Sequence, residues 1–203
     1  MWEEPSLLPG ILPSDPDNTH AAWLKRRWRE TRPISAWLLC LGLLAISGPV
    51  ALLCSLLKSG SIVPLAAAAI VAPLVEELGK AMAPLMAIET APYRFTSGLQ
   101  PLLVCSLGGL VFALIENAVY FNVYLIEPSP DLVAWRRTVC VALHVGCSTI
   151  AGLGLRRSWL AARDAGTRAD LRLASPHLVL AMVLHGAYNV SAIFLESTRT
   201  FDF

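Results

Sequence analysis

Charge is scarce in this chain. Of its 203 residues only 15% are Asp, Glu, Lys or Arg, while 55% are hydrophobic and the mean hydropathy is +0.58. Ordinary soluble domains approach a quarter charged, so a conventional water-soluble fold is excluded. A basic excess is also missing: 16 Lys and Arg against 15 Asp and Glu leave a net charge of +1, and no nucleic-acid partner is expected. The five cysteines (Cys40, Cys54, Cys105, Cys140, Cys147) lack metal-site spacing and are odd in number. They read as small, reduced packing residues inside apolar segments. There is no HExxH motif, and no internal repeat of the kind found in many secondary transporters. Met1 to Asp17 is acidic and rich in proline (Pro5, Pro9, Pro13, Pro16). It lacks the basic-then-apolar order of a signal peptide, so an irregular tail is expected there.

Long apolar runs are what the sequence does have. Five segments are long enough to cross about 30 Å of hydrocarbon at 1.5 Å per residue. They are Ile34–Leu57, Ser61–Ile88, Leu99–Ile126, Thr138–Leu155 and Ser175–Glu196. The expected fold class is therefore all-α: a polytopic membrane helix bundle of about five transmembrane helices plus an N-terminal interfacial segment. That segment, Ala21 to Arg32, mixes Trp23 and Trp28 with Lys25, Arg26, Arg27, Arg29 and Arg32, which suits a helix lying at headgroup level. The domain reading is a tail with this basic helix over 1–33, one intramembrane domain over 34–196 and a short C-terminal tail over 197–203.

Loop charge sets the expected orientation. With the N-terminus in the cytoplasm, Lys25, Arg26, Arg27, Arg29, Arg32, Arg94, Arg156, Arg157, Arg163, Arg168 and Arg172 lie inside. Lys58, Arg136, Arg137 and Arg199 fall outside, and Lys80 lies within a span. The bias favours a multi-pass protein of the cell membrane, specifically a bacterial inner membrane, with a cytoplasmic N-terminus. Arg136 and Arg137 are the dissenting pair, which a shifted boundary would explain.

The few charges inside the spans then stand out. Glu76, Glu77 and Lys80 interrupt the second span, Glu116 and Asn117 the third, His144 the fourth, and His185 with Asn189 the fifth. Each ionised group near a bilayer centre costs roughly 2.5–3.5 kcal/mol on insertion scales, so such residues are functional candidates by default. At about 100° per residue, Lys80 lies about 40° from Glu76 and about 60° from Glu77, close enough to pair with either. Two adjacent carboxylates repel in a low dielectric, a setting that tunes a glutamate toward accepting a proton from water. Pro73 and Pro84 flank the pair and are expected to bend the span. Gly108 and Gly109 precede Glu116, and His144 is followed by Gly146, Cys147, Ser148, Ala151, Gly152 and Gly154. Such small-residue faces let helices approach closely. His185 and Asn189 share one helix face, and both can hydrogen-bond a substrate carbonyl.

The order and spacing of these groups carry a resemblance. They are Glu76-Glu77-Leu78-Gly79-Lys80, Phe112 through Glu116-Asn117, His144 with Gly152, and His185 through Asn189. EExxK, FxxxEN, a histidine with a glycine eight residues on, and HxxxN resemble the PrsW family of glutamic-type intramembrane proteases. That family belongs with the CAAX prenyl protease and bacteriocin-processing superfamily, and the match spans roughly 61–196. In the wider superfamily the second motif usually ends in histidine; Glu116 stands there instead, as in the PrsW branch.

The resemblance implies an intramembrane endopeptidase acting on a membrane-anchored protein, for some members an anti-sigma factor. It implies that Glu76 serves as general base assisted by Glu77 or Glu116, with His185 and Asn189 polarising the carbonyl. His144 then positions water or substrate, and Lys80 and Asn117 support. On this reading the partners are that protein substrate and the lipid bilayer, and neither a cofactor nor a metal is expected. Three rivals remain. Glu76, Glu116, His144 and His185 are also a carboxylate–imidazole ligand set for zinc. A non-catalytic scaffold or immunity protein, or a proton-coupled carrier, could keep the same residues.

Overall fold

A computed structural model describes residues 19–56, 66–124 and 127–197. The proline-rich tail, the expected second-span start at Ser61 and the C-terminal residues from 198 onward lie outside the described residues. The described chain is helical, with seven α-helices: α1 (His20–Glu30), α2 (Pro33–Leu56), α3 (Ala72–Thr90), α4 (Leu99–Val119), α5 (Pro130–Trp135), α6 (Val141–Ala165) and α7 (Ser175–Ser197). Three wide π turns extend them. Ala67–Val71 leads into α3, Tyr120–Tyr124 continues α4, and Arg136–Cys140 fuses α5 to α6.

Four helical stretches among the described residues are long and apolar enough to cross a membrane: Pro33–Ser55, Leu99–Tyr124, Pro130–Ala165 and Leu171–Leu195. This is a multi-pass membrane helix bundle. The fourth expected span is longer than Thr138–Leu155 by a turn or more at each end, and that corrects the reading of Arg136 and Arg137. They belong to a continuous helical stretch rather than to a loop.

The second expected span appears as α3, which carries too many charges to rank with those four yet is built with two faces. Leu74, Leu78, Met82 and Met86 recur every four residues and are exposed, giving a stripe that suits lipid. Pro73, Glu76, Glu77, Lys80, Ala81, Pro84 and Ile88 are buried on the other face. A helix in lipid inverts the soluble pattern, with apolar groups outward and ionisable groups against neighbours.

α3 packs against α2, α4, α6 and α7, so its polar face is enclosed by helices. Its approach to α2 depends on Gly79, where an added Cβ would lie 2.8 Å from Ala51 Cα. The largest apolar cluster sits at the end of the bundle nearest α1, where Ile88, Phe95, Val104, Leu155 and Trp159 are buried together. Trp159 donates through its indole N–H to the Pro92 carbonyl at 2.8 Å, and Trp28 likewise to the Phe95 carbonyl at 3.2 Å. These two bonds tie α6 and α1 to the turn that follows α3. α1 is capped by Thr19, whose side chain accepts from the Ala22 N–H, and it buries Trp23 and Leu24.

Adjacent residues on the two faces of α3 should therefore respond oppositely. Gly79→Val forces a side chain into Ala51 and should lower thermal stability in detergent by about 1–3 kcal/mol. Leu78→Val, on the exposed stripe, should change it by less than about 0.5 kcal/mol. Equal effects in a melting assay would show that the two faces are wrongly assigned.

Candidate active site

The site begins with a missing N–H. Pro73 has none to offer the carbonyl of Ala69 four residues earlier, and its ring disfavours regular α-helix there. The wide turn Ala67–Val71 lies at this point, a common way for a helix to absorb such a break. The Ala69 carbonyl is met from outside by Gly186 of α7, where any Cβ would collide with it. A glycine next to His185 thus lets α7 come close enough to bring that imidazole to the glutamate pair. On the other side of the site, Gly109 of α4 sits where a Cβ would be 2.6 Å from the His144 carbonyl and 2.5 Å from Ser148 Oγ. That contact brings α6 and α4 together at His144.

The side chains then form a connected network. Lys80 Nζ lies 2.5 Å from Glu77 Oε1, an i,i+3 pair in which both side chains are at most 2% exposed. The same Glu77 oxygen accepts from His185 Nδ1 at 2.8 Å. Lys80 Nζ also lies 3.2 Å from His144 Nδ1. Across the ring, His144 Nε2 is 3.1 Å from Glu116 Oε2, which Arg136 also reaches at 3.1 Å. Arg136 continues to Asn117: its Nε donates to Asn117 Oδ1, and Asn117 Nδ2 donates to its backbone carbonyl, both at 3.1 Å. The two imidazoles meet edge to face with centroids 4.9 Å apart, and Phe112 packs against His144 at 5.0 Å.

Glu76 faces the imidazoles. Its Oε2 is 3.7 Å from His185 Nε2, beyond direct hydrogen-bond range. Glu76, His144 and His185 each offer one atom such that all three lie within 4.8 Å of one another, and all three residues are buried. His185 thus meets Glu77 through Nδ1 and faces Glu76 with Nε2.

The three carboxylates differ in their partners. Glu77 pairs with Lys80 and His185, Glu116 with Arg136 and His144, and Glu76 lies against His185. Glu77 Oε2 is buried without a hydrogen-bond partner, so this residue acts through Oε1, which grips Lys80 and His185 together.

The structure thus brings Glu76, Glu77, Lys80, His144, His185 and Glu116 into one cluster, with Asn117 joined through Arg136. Asn189 lies one turn beyond His185 on α7 and is half-buried. Sequence reasoning missed Arg136, which it placed in an outer loop. A signal was present: Arg136, Cys140 and His144 recur every four residues, the spacing of one helix face. A second missed group is Tyr188, whose hydroxyl accepts from Trp135 Nε1 at 2.7 Å and contacts Cys140 Sγ at 2.8 Å, beside the Arg136 end of the site. All five cysteines are free. A void beside Glu77, Lys80, Cys105 and Ser148 is too small to admit water.

No curated protein and no solved structure matches the chain. A family model does: the one described as PrsW family intramembrane metalloprotease matches residues 30–201. The stretch matched covers every helix that contributes to the cluster, and on that match the chain belongs to the PrsW family.

Proposed function

We propose that the chain hydrolyses a peptide bond of a membrane-anchored protein, such as an anti-sigma factor or a similar regulator, using water activated by Glu76. The observation that carries this reading is the position of Glu76. It is buried within 4.8 Å of two imidazoles, one of which, His185, is held from its other nitrogen by Glu77. Glu76 takes a proton from water as the oxygen attacks the scissile carbonyl carbon. His185, oriented by Glu77, shares that proton through Nε2. The proton then passes to the leaving amine as the C–N bond breaks, giving a carboxylate and an amine. The developing oxyanion is met by Asn189, one turn from His185 on the same face, while His144, held between Lys80 and Glu116, positions water or substrate. Lys80 and Arg136 are positioning residues, since they act through Glu77 and Glu116.

A second reading is favoured by a specific distance. Two ligands about 2.1 Å from a tetrahedral zinc ion stand about 3.4 Å apart, and His185 Nε2 to Glu76 Oε2 is 3.7 Å. The donor set of Glu76, His144 and His185 fits a divalent metal ion, and Glu77 on His185 Nδ1 is the usual second partner of a metal-bound histidine. Bound there, the ion would supply Lewis-acid activation of water. The ammonium of Lys80, 3.2 Å from His144 Nδ1, opposes a cation at this place, and for that reason glutamate-activated water remains the leading reading.

Three measurements follow. Glu76→Gln keeps the shape of the side chain and removes the base, so cleavage per folded molecule should fall by about 10²–10⁴-fold. Near-normal turnover of a verified substrate by that variant would remove Glu76 from catalysis. Cleavage by protein prepared metal-free with a strong chelator should continue; abolition, with recovery on adding zinc, would establish the metal reading instead. The orientation proposed from loop charge, with a cytoplasmic N-terminus, predicts that single cysteines at Ala165 and Thr200 label from opposite faces. An impermeant reagent that labels both from one side would reverse it.

A further inference from the structure

Away from the site, a cleft of about 370 Å³ opens where α1 meets the start of α2 and the turn after α3. Arg27, Arg32 and Arg94 line it with Tyr93, Ser35 and a single acid, Glu30. Three guanidinium groups against one carboxylate leave the cleft strongly positive. The first turn of the 24-residue α2 also opens on it through Ser35, adding the positive end of a helix dipole. The opposing acid is weakly held: Arg27 to Glu30 is a 3.5 Å pair with both side chains more than a third exposed, a kind worth little in water.

The Arg27 side of the cleft is held by packing. Arg27 stacks over the Tyr93 ring at 4.7 Å, and Tyr93 packs edge-on to Trp23. The Trp28 bond to the Phe95 carbonyl holds α1 to the same turn that carries Tyr93 and Arg94. Planar guanidinium forks held in place suit the paired oxygens of a phosphate.

The surroundings indicate an amphiphile. Leu39 lines the cleft's α2 wall, and Ile34, Leu38 and Leu41 on the same helix are among the exposed large hydrophobic residues. A phosphate seated between the arginines therefore has an apolar helix surface beside it for acyl chains. We propose that this cleft binds the phosphate of an anionic phospholipid headgroup, anchoring α1 against the bundle at the membrane surface.

The test uses the full chain in neutral detergent, with bound lipid counted by native mass spectrometry. Phosphatidic acid, phosphatidylcholine and inorganic phosphate are titrated separately. The expected result is one tightly retained phosphatidic acid per chain, with phosphatidylcholine and free phosphate held at least about tenfold more weakly. Charge-assisted bonds of this kind are each worth about a tenfold change in affinity. R32Q/R94Q should therefore weaken retention by about a hundredfold, whereas K25Q/R29Q, which removes two charges from α1 outside the cleft, should change it less than about threefold. Because Arg94 is exposed, R94Q alone gives a variant whose fold is not at risk, and it should still weaken retention several-fold. Equal weakening by the two double variants would reduce the effect to general surface charge and overturn the proposal. Free phosphate bound as tightly as phosphatidic acid would overturn the lipid assignment, as would equal retention of phosphatidylcholine. None of these readouts depends on proteolysis.

Discussion

The centre of the cluster is one oxygen, Oε1 of Glu77. It accepts from Lys80 on its own helix and from His185 on α7, and Lys80 in turn reaches His144 on α6. A buried ion pair adds little net stability, because desolvation offsets most of the Coulomb gain. Removing one partner, by contrast, strands the other and costs about 3–5 kcal/mol. The Glu77–Lys80 pair therefore contributes arrangement more than stability, linking imidazoles from two separate helices beside Glu76. Adjacent glutamates in one span thus divide the work. Glu77 holds Lys80 and His185 together, and Glu76 lies against the far nitrogen of the same imidazole.

That arrangement is possible only because the backbones come close. Pro73 breaks the hydrogen-bond ladder at the start of α3, and Gly186 accepts the exposed Ala69 carbonyl against α7. Gly109 does the equivalent for α4 and α6 at His144. In a membrane, where lipid tails give little hydrophobic drive between helices, close backbone contact and interhelical polar bonds supply the association. Here the small residues and the polar ones lie side by side in sequence: Gly186 after His185, Gly79 before Lys80. The same helix crossings that hold the bundle together deliver the ionisable groups to the cluster.

Much of this was legible in the sequence, and for a physical reason. Ionisable residues are so costly in apolar spans that Glu76, Glu77, Lys80, Glu116, His144 and His185 announced themselves, and their need for partners implied convergence. The i,i+3 geometry of Glu77 and Lys80 followed from helix periodicity alone. What could not be read was anything dependent on where a span begins. Hydropathy started the fourth span at Thr138, which left Arg136 in solvent, whereas helix continues from Pro130 and turns that side chain onto Glu116. An arginine whose charge is answered by a glutamate of another helix is invisible to a hydropathy window. Likewise, sequence gave Lys80 a choice between two carboxylates and could not say which one it would neutralise.

Hydrolysis sets a last constraint on how the bundle works. Glu76, His144 and His185 are each at most 3% exposed, and the void beside Lys80 admits no water. If Glu76 activates water as proposed, a peptide bond and that water both have to reach it, and the enclosed arrangement would then be a resting one. Of the four apolar spans, the stretch containing α7 is the least buried. It carries His185 and Asn189, and it meets α3 across the Ala69–Gly186 contact. On the proposed mechanism a displacement of α7 would break the His185 contacts to Glu76 and Glu77 and spare the Lys80–Glu77 and Arg136–Glu116 pairs, because none of those four residues lies on α7. The Lys80–Glu77 and Arg136–Glu116 pairs thus lie wholly outside α7, whereas His185 ties α7 to both glutamates of α3.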